Sequence, residues 1–254
     1  MRVLFIGDVV GKPGRRALQT LLPSLRKELA PELVIANGEN AAGGNGLTLD
    51  TAHEILSAGV DIITSGNHIW DQKEFTPHLD GELPVLRPLN YPPGVPGKGY
   101  LQRGEVAVVN LQGRTFMAPI DCPFRAADNL LNGLVGARII IVDFHAEATS
   151  EKQAMGWYLD GRVSAVLGTH THVPTADPRI LPRGTAFVTD VGMCGPYNSI
   201  IGVEVQDILE RFLLQTPRRF SVASGPSVLN AVLVDIDDQS GRARSIVRVD
   251  RESR

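Results

Sequence analysis

The sequence predicts an α/β fold with two sheets, one of them partly parallel. Apolar strand-like runs alternate with amphipathic segments along most of its 254 residues, which is typical of strand–helix–strand units. Near the carboxyl terminus, two runs instead alternate apolar and polar residues, as antiparallel strands do. The length fits one large domain and no repeat or linker interrupts it, so residues 1–254 are expected to form a single domain.

The first third of the chain contains three predicted strands and two predicted helices. Each strand is an apolar run: RVLFIGD, ELVIANGEN and DIITSGNH. Between the first two, RRALQTLLPSLRKELA has leucines at helical spacing. The segment TLDTAHEILSAG has Thr48 or Asp50 as a candidate N-cap and Gly59 as its end. This alternation predicts the partly parallel sheet.

The remainder of the chain is predicted to consist mainly of strands. A Pro/Gly-rich loop, RPLNYPPGVPGKGY, leads into a hairpin, GYLQRGEVAVVNLQG, with a tight Arg-Gly turn. Buried strands follow in ARIIIVDFH and VSAVLGTHTH, and GTAFVTDVGMCGP forms a further strand and loop. The last predicted helix is VEVQDILERFLLQ, and the chain closes with an antiparallel pair, NAVLVDIDD and ARSIVRVDRE.

Composition and charge exclude several classes of protein. Apolar residues make up 43% of the chain and charged residues 21%, as in ordinary globular proteins, and the net charge of −3 argues against extended nucleic acid as a partner. No apolar run is long enough to cross a bilayer, and the N-terminal run is predicted to be a strand rather than a signal peptide. The two cysteines, Cys122 and Cys194, form no disulfide framework and favour a cytoplasmic location.

Metal-ligand side chains stand at the ends of five predicted strands. They are Asp8, Glu39 with Asn40, Asn67 with His68, His145, and His170 with His172. Taken singly, each has an ordinary structural explanation, such as a helix cap, a turn or a buried histidine. Ligands of open α/β sheets bind beyond the carboxyl ends of the strands, so the whole set predicts one shared site.

The chemistry of this set favours divalent transition metals. Imidazole, carboxylate and amide oxygen together suit Mn²⁺, Fe²⁺, Zn²⁺ or Co²⁺, and the absence of cysteine argues against a structural zinc site. The set exceeds what one tetrahedral ion needs, and Glu39 can bridge, which indicates two ions roughly 3.5–4 Å apart.

Other catalytic motifs are missing from the sequence. The segment GDVVGKPG lacks both the dinucleotide-binding G-x-G-x-x-G pattern and the P-loop G-K-[ST]. No serine lies in G-x-S-x-G, which argues against a serine hydrolase.

The order Asp, acidic residue, Gly-Asn-His, His, Gly-x-His-x-His resembles the calcineurin-like metallophosphoesterase superfamily. Seven segments resemble more closely the bacterial YmdB-type family, whose members are similar to cyclic-nucleotide phosphodiesterases: FIGDVVGKPGR, NGENAAGG, TSGNHIWD, RPLNYPPG, DFHAEATSEK, GTHTHVPTAD and TDVGMCGP. Two positions depart from the wider superfamily, since Val10 replaces a usual histidine and Glu39 replaces a usual aspartate. The YmdB-type pattern accommodates both, with Asn40 as the compensating ligand.

The resemblance implies a two-sheet α/β/β/α sandwich of the metallophosphoesterase type that holds two divalent ions, with Fe or Mn expected. It implies that metal 1 is held by Asp8, Glu39, Asn40 and His172, and metal 2 by Glu39, Asn67, His145 and His170. His68 matches the catalytic acid of the family. We expect the strand in VSAVLGTHTH to end at Gly168. The glycine would bring the backbone close to the metals and let the two histidines serve different ions.

The activity implied is hydrolysis of a cyclic nucleotide, 2′,3′-cyclic first and 3′,5′-cyclic as a further candidate. Arg87 is a candidate phosphate clamp and Tyr91 a candidate platform for the base, while Asp71 could orient His68. Asp143 and Glu147 flank His145 and could orient the metal ligands.

Two alternative functions stay open. One is a phosphomonoesterase or protein phosphatase with the same metals, and the other is a regulator whose metals are structural. A proton donor at position 68 argues against the regulator. A homo-oligomer is also expected, with the predicted hairpin as the candidate surface.

Overall fold

The computed structural model describes residues 1–253. The strands are β1 (Arg2–Ile6), β2 (Asp8–Val9), β3 (Leu33–Asn37), β4 (Ile62–Thr64), β5 (Tyr100–Arg103), β6 (Val106–Gln112), β7 (Ile139–His145), β8 (Ala165–Thr169), β9 (Arg179–Ile180), β10 (Ala186–Val188), β11 (Met193–Pro196), β12 (Ser227–Leu229), β13 (Ala231–Ile236), β14 (Ala243–Arg248) and β15 (Arg251–Ser253). The α-helices are α1 (Gly11–Leu29), α2 (Leu49–Ser57), α3 (Pro123–Gly133), α4 (Thr149–Leu159) and α5 (Val205–Leu214), and two 3₁₀ helices span Asn67–Trp70 and Lys73–Asp80.

Two large sheets pack face to face. The five-stranded sheet has the order β14-β13-β1-β3-β4, and the six-stranded sheet has the order β5-β6-β7-β8-β10-β9. Phe5 of β1 and Ile141 of β7 belong to the apolar cluster buried between them. Leu22 of α1 belongs to the core on the outer face of the first sheet, and Met155 of α4 to that of the second. The predicted α/β/β/α sandwich is therefore confirmed.

Parallel pairing brings several strand ends to one edge of the molecule. Strands β1, β3 and β4 are mutually parallel neighbours, as are β6, β7, β8 and β10. His145, the last residue of β7, pairs with Gln112 of β6 and Thr169 of β8. The side chains that follow these strands therefore lie close together.

A third sheet of four short strands, β15-β12-β11-β2, was not predicted. The predicted first strand divides into β1 and β2, which belong to different sheets. Gly7 makes the crossing, because a Cβ there would collide with the carbonyl oxygen of Gly192. This crossing carries Asp8 to the ligand-binding edge. GTAFVTDVGMCGP divides in the same way, into β10 and β11.

Helices α3 and α4 were also missed by the sequence analysis. In α4 the buried side comprises Lys152, Met155, Gly156 and Leu159, so a lysine and a glycine interrupt the apolar stripe that signals a helix. The hairpin β5–β6 and the antiparallel pair β13–β14 are confirmed. Nowhere in residues 1–253 does a helix combine the length and apolarity that spanning a membrane requires.

Candidate active site

The carboxyl-terminal edge of the sheets brings the predicted ligands into two groups. In the first group, Nε2 of His145 lies 3.1 Å from Oδ1 of Asn67, 3.0 Å from Nδ1 of His170 and 3.0 Å from Oε1 of Glu39. Gly66 leaves the room for this approach. A Cβ at that position would collide with both the His145 ring and Oε2 of Glu39.

The second group contains Asp8, Asn40 and His172. Nε2 of His172 lies 3.3 Å from Oδ1 of Asn40 and 3.9 Å from Oδ1 of Asp8. The two groups are tied together by the backbone N–H of His170, which donates to Oδ2 of Asp8 at 3.2 Å. Oδ1 of Asp8 also lies 3.8 Å from Nδ1 of His145, so the two groups are in direct contact.

The outer nitrogens of the three histidines face hydrogen-bond acceptors. Nδ1 of His172 donates to the carbonyl of Ile201 at 2.8 Å, and Nε2 of His170 lies 3.1 Å from a Glu147 carboxylate oxygen. Nδ1 of His145 lies 2.9 Å from the hydroxyl of Thr169. In neutral histidines, these contacts place the ring protons on the outer nitrogens and the lone pairs inside the cluster.

In this neutral form, the inner nitrogen lone pairs of the histidines face one another and the ligand oxygens, with no proton between them. Within residues 1–253, Oδ1 of Asp8 and Oε1 of Glu39 are both buried without a hydrogen-bond partner. The 3.0 Å contact of Glu39 with His145 lacks the alignment of a hydrogen bond. A carboxylate oxygen that is buried without a partner destabilises the folded state, and a bound cation would offset this cost. Oxygen and imidazole donors in this arrangement fit divalent transition-metal ions.

Burial and mutual attraction set the charges of the protein groups. Burial disfavours the carboxylate of Glu39, but attraction to His145 and the hydrogen bonds it accepts outweigh burial and lower its pKa to about 2. Burial likewise disfavours the charged imidazolium of His145, but Glu39, Asp8 and Asp143 raise its pKa to about 9. Burial and repulsion by His145 lower the pKa of His170 to about 3.

A hydrogen-bond relay beneath His145 fixes the orientation of its ring. The Thr169 hydroxyl that faces Nδ1 donates to Asp143 at 2.7 Å, and Asn37 Nδ2 donates to the other Asp143 oxygen at 3.0 Å. All four residues are fully buried. Such outer partners orient a metal-ligating imidazole and fix its tautomer.

The two histidines of the His-x-His segment adopt left-handed backbone conformations. The φ angles are 101° at His170 and 64° at His172. β8 extends to Thr169, one residue beyond the predicted end at Gly168, and the bend follows it. A Cβ at Gly168 would collide with the carbonyl oxygen of Thr189. The glycine is thus required by a neighbouring backbone segment rather than by the metals.

A buried ion pair holds this bend in place. Oδ2 of Asp190 accepts both the backbone N–H of Thr171 at 3.1 Å and its hydroxyl at 2.7 Å. The same oxygen accepts from Nζ of Lys152 at 2.6 Å, and Lys152 and Asp190 are almost fully buried. Strained backbone persists only where surrounding contacts determine it. Lys152, Asp190 and Thr171 therefore position the two histidines.

Replacing Thr171 with valine is expected to weaken metal binding. The change keeps the side-chain shape but removes one hydrogen bond to a carboxylate, at about 1–2 kcal/mol of unfolding free energy. Loss of such outer support lowers metal affinity by about 10-fold or more. Calorimetric titration of chelator-treated protein with Mn²⁺ measures the affinity. Thr171→Ser is the matched control, and equal losses in both variants would contradict the positioning role.

His68 lies at the rim of the cluster with its side chain 32% exposed. Its backbone N–H donates to Oε2 of Glu39 at 3.0 Å, and its Nδ1 lies 2.8 Å from a carboxylate oxygen of Asp71. The imidazole therefore stands beside the ligands, with its Nδ1 in contact with a carboxylate. His68 and Glu39 line a cavity of about 260 Å³.

Arg87 and Tyr91 lie outside this cavity. The guanidinium of Arg87 donates to the carbonyls of Pro96, Pro88 and Leu89 at 3.2, 2.8 and 3.3 Å, so these contacts occupy it. The ring of Tyr91 packs edge-to-face on Trp70 with centroids 5.3 Å apart. Both residues line a neighbouring groove.

The sequence analysis missed several supporting residues. Asn37, Thr169, Lys152 and Asp190 surround the ligands but are not ligands themselves. Lys152 and Asp190 lie within segments that carry the family resemblance, DFHAEATSEK and TDVGMCGP, which is the signal that could have drawn attention to them. Their partners are 19 to 38 residues apart in the chain, so no local pattern reveals the contacts.

The chain is similar to known proteins along nearly its whole length. A family model described as YmdB-like protein matches residues 4–249. The 2′,3′-cyclic-nucleotide 2′-phosphodiesterase of Bacillus subtilis (strain 168) is 52% identical, covering 98% of this chain and 96% of that protein. A crystal structure of a hypothetical protein from Thermus thermophilus has 51% identity and a TM-score of 0.94, with 100% of both chains covered. A novel phosphatase from Mycoplasma pneumoniae has 35% identity and a TM-score of 0.94, covering 99% of this chain and 93% of that one. With a match over nearly the whole sequence and the same fold, this chain belongs to the YmdB-like protein family.

Proposed function

We propose that the protein is a metal-dependent phosphodiesterase that hydrolyses nucleoside 2′,3′-cyclic phosphates at the 2′ ester bond. The observation that carries the proposal is the cluster of histidine lone pairs and partnerless carboxylate oxygens at one sheet edge. The substrate class is that named for the Bacillus subtilis relative with 52% identity. Activity on 3′,5′-cyclic nucleotides is a further proposed extension of the same chemistry.

The proposed site holds two ions, with Fe or Mn as the expected metals. Metal 1 is assigned to Asp8, Glu39, Asn40 and His172, and metal 2 to Glu39, Asn67, His145 and His170. Two ions, when bound, acidify water for attack on phosphorus and neutralise charge on the phosphoryl oxygens. Glu39 is assigned as the bridge because a carboxylate has two oxygens that can serve two ions. Its Oε1 lies beside His145, and its side chain lines one cavity with His170 and His172, one from each group.

The protein groups provide the remaining steps. His68 donates a proton to the ribose O2′ as the P–O2′ bond breaks, which is general acid catalysis. Asp71 orients the His68 ring through the 2.8 Å contact with Nδ1, which leaves Nε2 as the nitrogen that donates the proton. Thr169 and Asp143 keep Nε2 of His145 directed into the cluster.

A hydrolysis screen with added Mn²⁺ tests the proposal. The substrates are 2′,3′- and 3′,5′-cyclic AMP, bis-p-nitrophenyl phosphate and p-nitrophenyl phosphate. We expect the highest kcat/KM for 2′,3′-cyclic AMP, with 3′-AMP as the product. A protein that hydrolyses only p-nitrophenyl phosphate would be a phosphomonoesterase, and one that hydrolyses none would be a regulator; either result contradicts the proposal.

We further propose that the protein forms a homo-oligomer through hairpin β5–β6. Strand β5 is an edge strand of the six-stranded sheet, and its Tyr100 is 40% exposed. Edge strands with free backbone groups pair readily with another copy. Light scattering should give a mass above the 27.4 kDa of one chain, whereas a monomer throughout the micromolar range would contradict this. A cytoplasmic location stays a prediction.

A further inference from the structure

A groove of about 640 Å³ lies beside the cluster of proposed metal ligands. Arg87 to Pro93 line one side, and residues between Arg114 and Leu130 line the other. The second wall begins at the site itself, because the backbone N–H of Gly113 donates to the carbonyl of His145 at 2.9 Å. Tyr91, in the first wall, packs on Trp70 of the short helix that carries Asn67 and His68. The groove and the cluster are therefore adjacent.

The dimensions of the two cavities indicate a divided substrate. Cavities that hold a drug-sized ligand have volumes of about 300–1,000 Å³. The cavity at the cluster measures only about 260 Å³, which suits the reacting phosphate and part of its sugar. The groove of about 640 Å³ provides the room for the remainder of a nucleotide.

The charge of the groove is positive although the whole chain is slightly acidic. Three arginines line it, and among the described residues Asp121 is its one acidic lining residue. Arg87 is occupied by backbone carbonyls. Within residues 1–253, the guanidinium groups of Arg114 and Arg125 make no hydrogen bond or ion pair. Both arginines line the same groove, and the planar fork of a guanidinium group matches the oxygens of a phosphate.

We infer that Arg114 and Arg125 bind a second phosphate of the substrate, the 5′-phosphate of the nucleotide whose 2′,3′-cyclic phosphate lies at the cluster. The preferred substrates are then mononucleotides, 5′-phosphorylated nucleoside 2′,3′-cyclic phosphates. This inference rests on the proposed function. It predicts which members of the substrate class bind best.

The chemistry of these cyclic phosphates identifies the class of reaction that supplies them. In RNA, a 2′-hydroxyl attacks the adjacent 3′-phosphodiester, forms the P–O2′ bond and expels O5′ of the next nucleotide, which leaves as a 5′-hydroxyl. The strand is cut, and its new terminal nucleotide bears a 2′,3′-cyclic phosphate and retains its own 5′-phosphate. Hydrolysis then adds one water across the P–O2′ bond, so that O2′ gains a proton and the phosphorus gains the hydroxyl. The protein would thus act after RNA cleavage by transesterification.

The test compares adenosine 2′,3′-cyclic phosphate with its 5′-phosphorylated form in the Mn²⁺-loaded enzyme. We expect kcat/KM to be at least about 10-fold higher for the 5′-phosphorylated substrate, mostly through KM, since one charge-assisted pair has about this effect. In the double variant Arg114→Ala, Arg125→Ala, the ratio of the two values should fall towards one. The double variant with lysines should retain part of the preference. Increasing salt should reduce the preference in the wild type.

Arg183→Ala is the matched control, because Arg183 is exposed and precedes β10 at the opposite edge of the sheet. Its ratio should equal that of the wild type. Equal kcat/KM for both substrates in the wild type, or an unchanged ratio in the alanine double variant, would overturn the inference while leaving the proposed function intact. Hydrolysis of neither substrate would overturn the proposed function and the inference with it.

Discussion

Replacing Glu39 with glutamine is expected to abolish nearly all activity and to deplete both metals. In the wild type, the backbone N–H of His68 donates to Oε2 of Glu39 at 3.0 Å. Glutamine keeps the side-chain shape, and its amide oxygen can still accept this hydrogen bond. It removes the charge that is proposed to bridge the two ions. Metal-ion stabilisation of transition-state charge is worth several kcal/mol, so kcat/KM should fall by about 10³-fold or more.

Elemental analysis and kinetics together check this expectation. Glu147→Gln is the control, because Glu147 contacts only the outer nitrogen of His170 within the ligand set. Its kcat/KM should fall by about 10–100-fold, the range for outer partners of a metal ligand. If Glu39→Gln lost only half of the bound metal, Glu39 would ligate one ion and would not be the bridge.

Replacing His68 with alanine is expected to impair catalysis while leaving metal content nearly intact. His68 is the neighbour of Asn67, but its ring faces Asp71 rather than the ligand atoms. The rate on a ribose leaving group should fall by about 10²–10⁴-fold, the usual contribution of a positioned proton donor. Nitrophenolate is much less basic and needs little proton assistance, so hydrolysis of bis-p-nitrophenyl phosphate should fall much less.

His145→Ala separates the two roles. It removes a proposed metal ligand, so it should reduce the metal content and lower the rates of hydrolysis of both substrates by the same factor. The ratio of the two rates in each variant is the decisive quantity. If His68→Ala retained its metals but hydrolysed both substrates more slowly by the same factor, His68 would stabilise the phosphoryl oxygens rather than protonate the leaving group.

The pattern of apolar runs predicted a two-sheet α/β fold because the central strands are buried on both faces, whereas the sandwich was implied by the family resemblance. Strand β7 is buried along its whole length, and apart from Asp143 every residue in it before His145 is apolar. Helix α4 could not be predicted in this way, since its buried Lys152 serves the distant carboxylate of Asp190 rather than an apolar core. Strand β2 was hidden because it consists of only Asp8 and Val9 and is separated from β1 by Gly7 alone, so it has no sequence pattern of its own.

The ligand-type residues of the site were predictable because parallel strands deliver their ends to one edge. The residues that orient them were not. Thr169 is an ordinary residue in the sequence, and its role depends on contacts with His145 and Asp143, 24 and 26 residues away. Arg87 illustrates the opposite limit: residue type suggested a phosphate clamp, whereas local geometry turns its guanidinium towards three carbonyls of its own loop.

The central claim is that two ions held by this cluster hydrolyse a 2′,3′-cyclic nucleotide. The most direct measurement is a titration of chelator-treated protein with Mn²⁺, following both bound metal and the rate of 2′,3′-cyclic AMP hydrolysis. We predict that activity rises to a plateau at two Mn²⁺ per chain and that the product is 3′-AMP. A plateau at one ion per chain, or fully metal-loaded protein without activity on this substrate, would contradict the claim.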